Sequence, residues 1–172
     1  CTSRTPKTSW LYASGSAPTP EPKFPLVALL VSGGHTELIL MREHLAYQRL
    51  GGTVDDAAGE AFDKVARLLE LPYPGGPSIQ KAAQDGNPRA FNFPKARLSE
   101  PFNFSFSGVK TAVLRTVQDL RAQGKSLPIA DLAASFQAAV VSALYEKTIS
   151  AAQEFDAKEI IVAGGVSANK PL

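Results

Sequence analysis

Leu29-Leu30-Val31-Ser32-Gly33-Gly34-His35-Thr36-Glu37-Leu38-Ile39-Leu40 is the stretch that decides the fold. An apolar run enters a Ser-Gly-Gly turn, and an alternating run leaves it. Glycine permits the positive φ that tight turns need, so the pattern predicts strand, turn, strand. Two adjacent residues without side chains also expose backbone N–H groups, and a row of such donors suits an anion. An ordinary hairpin is the other reading. A second segment of the same kind follows at Lys158-Glu159-Ile160-Ile161-Val162-Ala163-Gly164-Gly165-Val166-Ser167-Ala168-Asn169. It again ends a short apolar run in paired glycines, before a small polar segment where a helix start would point N–H groups at a phosphate.

Working outward, Ala46 to Leu50 adds a candidate third strand. Thr53 to Leu71 predicts a helix, with Thr53 as cap, Asp55 and Asp56 at its positive end and Arg67 near its last turn. Ala58, Phe62, Val65 and Leu69 recur at helical spacing, and Asp56, Glu60 and Asp63 fall on the other side. That acidic side reads first as a solvated face. Leu71-Pro72-Tyr73-Pro74-Gly75-Gly76-Pro77 reads as a rigid break. From Asp85 to Phe106 the chain is polar, punctuated by Phe91, Phe93, Phe102, Phe104 and Phe106, with Lys95 and Arg97 among them. Two readings stay open there: a loop pinned to the core by phenylalanines, or a basic and aromatic RNA contact. Ser107 to Gln123 predicts a helix buried through Val109, Val113, Val117 and Leu120 and stopped by Gly124. Pro128 to Phe155 predicts a longer one.

Composition bounds the possibilities. With 172 residues, 44% hydrophobic and 20% charged, the chain is long enough for one domain with a core. The 18 Lys and Arg against 16 Asp and Glu are too balanced to indicate nucleic acid on their own. The single cysteine, Cys1, excludes an internal disulfide and suits a reducing compartment. No apolar run approaches the ~18 residues of a membrane span, and the N-terminus has no apolar signal core. Residues 1–22, rich in Ser, Thr, Pro and Lys, are expected to be a mobile tail, with a single domain over 23–172. A cytoplasmic location is expected.

Four motifs in fixed order carry a resemblance: SGGHTELIL, DDAAGEAFDKVARLLELPYPGGPSI, FNFSFSGVKTAV and AGGVSAN. Together they resemble the tRNA threonylcarbamoyltransferase family, once described as glycoprotease-like, over about Phe24 to Leu172. The resemblance implies an α/β chain with the actin/hexokinase/Hsp70-like ATPase (ribonuclease H-like) fold, mostly its second lobe and incomplete. It implies transfer of a threonylcarbamoyl group from threonylcarbamoyl-AMP to N6 of adenosine 37 in tRNAs reading codons that start with A. By resemblance Leu30, Val31, Ser32, Gly33 and Gly34 contact the phosphate and acyl part of that intermediate. Asp63 and Gly76 hold the ribose region, Gln80 stands where relatives often have aspartate, and Asn169 contacts the adenine side. Lys110, in the FNFSFSGVK signature, reads as solvated or as facing phosphate. His35 sits at the turn without an acid–base role, and His44 reads as surface.

Family members hold a divalent metal, iron or zinc, through an H-x-x-x-H pair. Pro6 and Trp10 stand at those positions here and cannot ligate. The expectation is that this chain, a fragment of the family's length, does not bind the metal itself. The implied partners are tRNA, threonylcarbamoyl-AMP, a paralogous subunit and a small ATPase, with no membrane. The alternatives are a catalytically dead fragment that only binds nucleotide or a partner subunit, and, ranked last, a kinase of the same fold superfamily.

Overall fold

The computed structural model describes residues 21–172. Strand β1 (Leu26–Val31) returns through Ser32–His35 into β2 (Thr36–Glu43), which turns into β3 (Ala46–Gly52). Both pairings are antiparallel, with Val31 opposite Thr36 across the glycine turn. Then come helices α1 (Ala58–Leu68), α2 (Gly75–Ala82), α3 (Ser107–Ala122) and α4 (Ile129–Glu154). The chain re-enters the sheet as β4 (Glu159–Ala163), parallel to β1, and the sheet order is β3-β2-β1-β4. A single 3₁₀ turn, Gly165–Ala168, follows.

Each strand's letters report its place. In β1, a continuous apolar run, Leu26, Val27, Leu29 and Val31 are all buried, because strands flank it on both edges and α4 packs on it. In β2 burial alternates, with Thr36, Leu38 and Leu40 inside. Strand β4 is the sheet's edge among the described residues, and Ile160, Ile161 and Val162 stay partly exposed there. The helices close the core around Phe62 and Phe136, whose rings meet edge to face at 5.2 Å.

Several boundaries differ from the sequence reading: β2 runs to Glu43, β3 to Gly52, and α1 ends at Leu68. Helix α1 begins at Ala58, five residues after Thr53. Thr53 instead donates its hydroxyl to the Asp56 carbonyl at 2.7 Å, making a tight turn before the helix. The glycine–proline break becomes helical from Gly75, because the missing N–H of Pro77 falls in a first turn, where it costs no helical bond. The segment after Gly164 forms one 3₁₀ turn. The stop at Gly124 stands: its φ is +67°, Gly124 N–H donates to Arg121 C=O, and Lys125 N–H donates to Leu120 C=O.

The phenylalanine-rich segment is a pinned loop. Phe93, Phe102, Phe104 and Phe106 are buried, and Phe104 forms a parallel bridge with Thr53. A Cβ on Gly51 would lie 2.4 Å from the Phe102 carbonyl oxygen, so the loop backbone lies directly on β3. Lys95 ties to Glu146 (2.5 Å) and Ser142 (3.2 Å) on α4.

Candidate functional site

The two glycine turns leave the same end of the sheet, side by side. Leu30 pairs with Ala163, so the next residues, Val31 and Gly164, are neighbours where the strands finish. The backbones are so close that a Cβ on Gly164 would sit 2.3 Å from the Val31 carbonyl oxygen. Gly164 also has φ +105°, a conformation that glycine alone adopts without strain. The turns are thus adjacent lips of one strand end.

Within the first turn the donors are unequal. Ser32 Oγ accepts from the N–H groups of His35 (3.0 Å) and Gly34 (3.3 Å). Ser32 N–H donates to the His35 carbonyl at 2.8 Å. The N–H of Gly33 has no partner among the described residues. A Cβ on Gly33, Gly34 or Gly165 would meet nothing within 4 Å, so these three face open space, and neither Gly33 nor Gly34 has the positive φ expected of this turn from sequence. The row of bare amides expected from sequence is therefore narrower, because Ser32 occupies two of them.

Helix α1 is the spine that joins the other residues. Gly59 packs on the first turn: its N–H donates to the Ser32 carbonyl at 3.1 Å, and a Cβ there would lie 2.7 Å from Gly33 Cα. Asp63 lies one helical turn further along the same face. Its Oδ1 accepts the Gly75 N–H at 2.7 Å and so caps α2. Sequence reading placed Asp63 on a solvated face. Helix α2 covers part of it, and this carboxylate supplies the acceptor that Pro74, at the helix entry, lacks. Gly76, next to Gly75, has open space where a Cβ would go. Asp63 and Gly76 are thus brought together, as are the Ser32–Gly34 and Gly164–Gly165 turns.

Asn169 follows the 3₁₀ turn and points back at α4. Its Nδ2 donates to Gln137 Oε1 at 3.0 Å, and its Oδ1 is enclosed with no partner. Gln80 Oε1 accepts the Lys170 N–H at 2.8 Å, so this side chain anchors the carboxy-terminal segment to α2. Leu30 and Val31 are strand residues; Val31 is fully buried, so its side chain is closed to a ligand, while Leu30 is partly exposed.

Two acidic residues have partners that no local pattern indicates. Asp55 accepts from Ser105 Oγ (2.5 Å), Ser107 Oγ (2.6 Å) and Phe106 N–H (2.9 Å), fastening the FNFSFSG motif to the start of α1. Partial burial raises its pKa, but the bonds from Ser105, Ser107 and Phe106 outweigh that and hold it below the ordinary value of 3.8. Asp56 pairs with Lys64 (2.6 Å) and Lys110 (2.8 Å). Desolvation again opposes, and the two ammonium groups prevail, lowering its pKa as well. Lys64 is pushed up to about 12 by its bonds to Asp56 and Glu60. Lys110 is therefore neither solvated alone nor facing open space. His35 is exposed at the turn, and His44 lies beyond the end of β2.

Among the described residues no three His, Cys, Asp or Glu side chains converge as a metal site, and Pro6 and Trp10 lie outside the described residues. Among the described residues no helix is long and apolar enough to cross a membrane.

An antiparallel three-strand meander, then helices, then a fourth strand parallel to the first form a mixed-sheet α/β fold. The model of the family described as tRNA N6-adenosine threonylcarbamoyltransferase matches residues 8–172, and the chain belongs to that family. The protein of that name from Thermomicrobium roseum is 54% identical, over 95% of this chain and 50% of its own length. Those from Synechococcus sp. (strain JA-3-3Ab) and Desulfitobacterium hafniense (strain Y51) are 55% and 57% identical, over 86% and 87% of this chain and 40% and 44% of their own. The chain thus spans about half the length of the curated relatives it matches. Among solved structures, component A of (R)-2-hydroxyglutaryl-CoA dehydratase from Acidaminococcus fermentans overlaps 84% of the chain and 48% of its own length. Its identity is 15% and its TM-score 0.46, too loose to carry weight.

Proposed function

We propose that this chain serves the transfer of a threonylcarbamoyl group from threonylcarbamoyl-AMP to N6 of adenosine 37 in tRNAs that read codons starting with A. The observation that carries the reading is the family match over residues 8–172, which includes both glycine turns that the sheet sets side by side. In the reaction the adenosine N6 attacks the carbamoyl carbon. The new N–C bond replaces the C–O bond to phosphate, AMP leaves, and the N6 proton is lost to the departing phosphate or to water. No nucleophilic side chain is needed. Catalysis is then a matter of holding both reactants in line and stabilising the developing charge.

The residues fit parts of that task. The free Gly33 N–H at a turn without side chains suits a phosphate or acyl oxygen. Asp63 keeps Oδ2 free of partners among the described residues, which leaves an acceptor for a ribose hydroxyl beside the open face of Gly76. Asn169 belongs on the adenine side, held through Gln137. In this reading residues 23–172 form one partial domain; the tail expected over residues 1–22 lies, except for 21 and 22, outside the described residues. The partners are tRNA, threonylcarbamoyl-AMP, a paralogous subunit and a small ATPase, in the cytoplasm. The iron or zinc of the family would need ligands that Pro6 and Trp10 do not supply.

The test is threonylcarbamoyladenosine formed on tRNA by the purified chain, quantified by mass spectrometry after nuclease digestion. The Thermomicrobium roseum relative serves as a parallel control. Product above background supports transfer, and none, with the control active, refutes it for this chain. Calorimetry with AMP examines the nucleotide site separately. Asp63→Ala is expected to weaken AMP binding about tenfold. Equal affinity in the variant would remove Asp63 from the site.

A further inference from the structure

We infer that Thr36 is a positioning residue for the first glycine turn, acting through the start of α1; this rests on the proposed role of that turn in holding the substrate's phosphate or acyl group. Thr36 is fully buried, on the face of β2 that otherwise carries Leu38 and Leu40. A hydroxyl among such neighbours costs free energy unless it is bonded. Its Oγ1 accepts the Ala58 N–H at 2.9 Å. The N-cap residue of α1 is Ala57, whose side chain has no acceptor, so the cap comes from the strand.

That arrangement couples the helix to the turn from two sides. Thr36 ends the turn, its hydroxyl holds the Ala58 amide, and its carbonyl accepts the Thr53 N–H at 2.8 Å. One residue on, the Gly59 N–H donates to the Ser32 carbonyl, and the bare Cα of Gly59 lets the backbones touch. The Ser32–Gly33 peptide is thereby clamped between β2 and α1. Its one uncommitted donor, the Gly33 N–H, is left in a set position. Valine at 36 fills the same volume but offers no acceptor, so the Ala58 amide would be buried unpaired and the first turn of α1 would loosen. Serine keeps the acceptor.

The experiment compares the full chain with Thr36→Val and Thr36→Ser. Amide hydrogen exchange is read at Gly33, Ala58, Gly59, Phe62 and Val65, and AMP affinity by calorimetry. In Thr36→Val, exchange at Ala58 and Gly59 should rise about tenfold while Phe62 and Val65 hold, and AMP affinity should fall roughly tenfold. Thr36→Ser should restore both. Unchanged exchange at Ala58 and Gly59 in the valine variant overturns the inference. So does faster exchange with unaltered AMP affinity, which would make the bond structural only. Absence of AMP binding by the unsubstituted chain brings down the proposed nucleotide site, and the positioning role with it. That failure shows in the parent protein and is distinct from one confined to the valine variant.

Discussion

Replacing Gly164 with alanine tests whether the two strand ends are as close as the structure places them. The added Cβ would stand 2.3 Å from the Val31 carbonyl oxygen and 2.8 Å from its carbonyl carbon. Ordinary contact for such atoms begins near ~3.4 Å, so β1 and β4 would have to part by about 1 Å where their ladder ends. Both atoms belong to the backbone of the buried central strand, which cannot swing aside as a side chain does. The φ of +105° adds its own strain for any residue with a Cβ, on the order of 1–3 kcal/mol. Together these give roughly 3–5 kcal/mol, a large share of the ~5–15 kcal/mol typical of a domain. Gly165→Ala is the matched control. Its Cβ would meet nothing within 4 Å, so a change within about 0.5 kcal/mol is expected. Urea unfolding followed by circular dichroism measures both variants, and thermal melting should separate them by roughly 6–15 °C. Equal urea midpoints for the two would refute the close approach, and with it the placement of the two turns side by side.

Two further outcomes follow from the packing and the charges. Phe136→Ala removes a fully buried ring that meets Phe62 edge to face, and should cost about 3–5 kcal/mol in the same urea assay. Asp55 has a folded-state pKa below 3.8, so its bonds to Ser105, Ser107 and Phe106 stabilise the fold above that value. The contribution is lost as pH falls from about 3.8 through the lower folded value. Asp55→Asn should therefore be less stable than the parent at pH 6, with the gap closing below pH ~4; a gap independent of pH would show that Asp55 does not act as a carboxylate clamp.

Much of the fold was legible because its signals are local. The SGG turn at Ser32–Gly34, the alternation through Leu38 and Leu40, and the stripe at Val109, Val113 and Val117 each report on residues a few positions apart. The hairpin of β1 and β2 is where the sequence puts it, although β2 runs on to Glu43, past Leu40, and α3 and α4 agree to within a residue at each end. The start of α1 was misplaced for the same reason. Thr53 looks like a cap in its own neighbourhood, but the acceptor for the Ala58 amide comes from Thr36, 22 residues earlier. The acidic pair Asp55 and Asp56 reads locally as a helix-dipole match. Apart from the Asp56–Lys64 pair, their bonds run to Ser105, Phe106, Ser107 and Lys110, 50 or more residues on.

Sequence patterns alone therefore carry the two bare turns, the strands and helices α1, α3 and α4, because strand alternation and amphipathic spacing are written in consecutive letters. Four motifs in fixed order carry the family, while helix α2 read as a break. Which amides the turns leave free, and what holds Asp63 and Asn169, depends on contacts between distant segments. Ser32 Oγ occupies Gly34 and His35, Gly75 engages Asp63, and Gln137 engages Asn169. A hydrogen bond needs its partners about 3 Å apart, and only chain folding brings residues tens of positions apart to that distance.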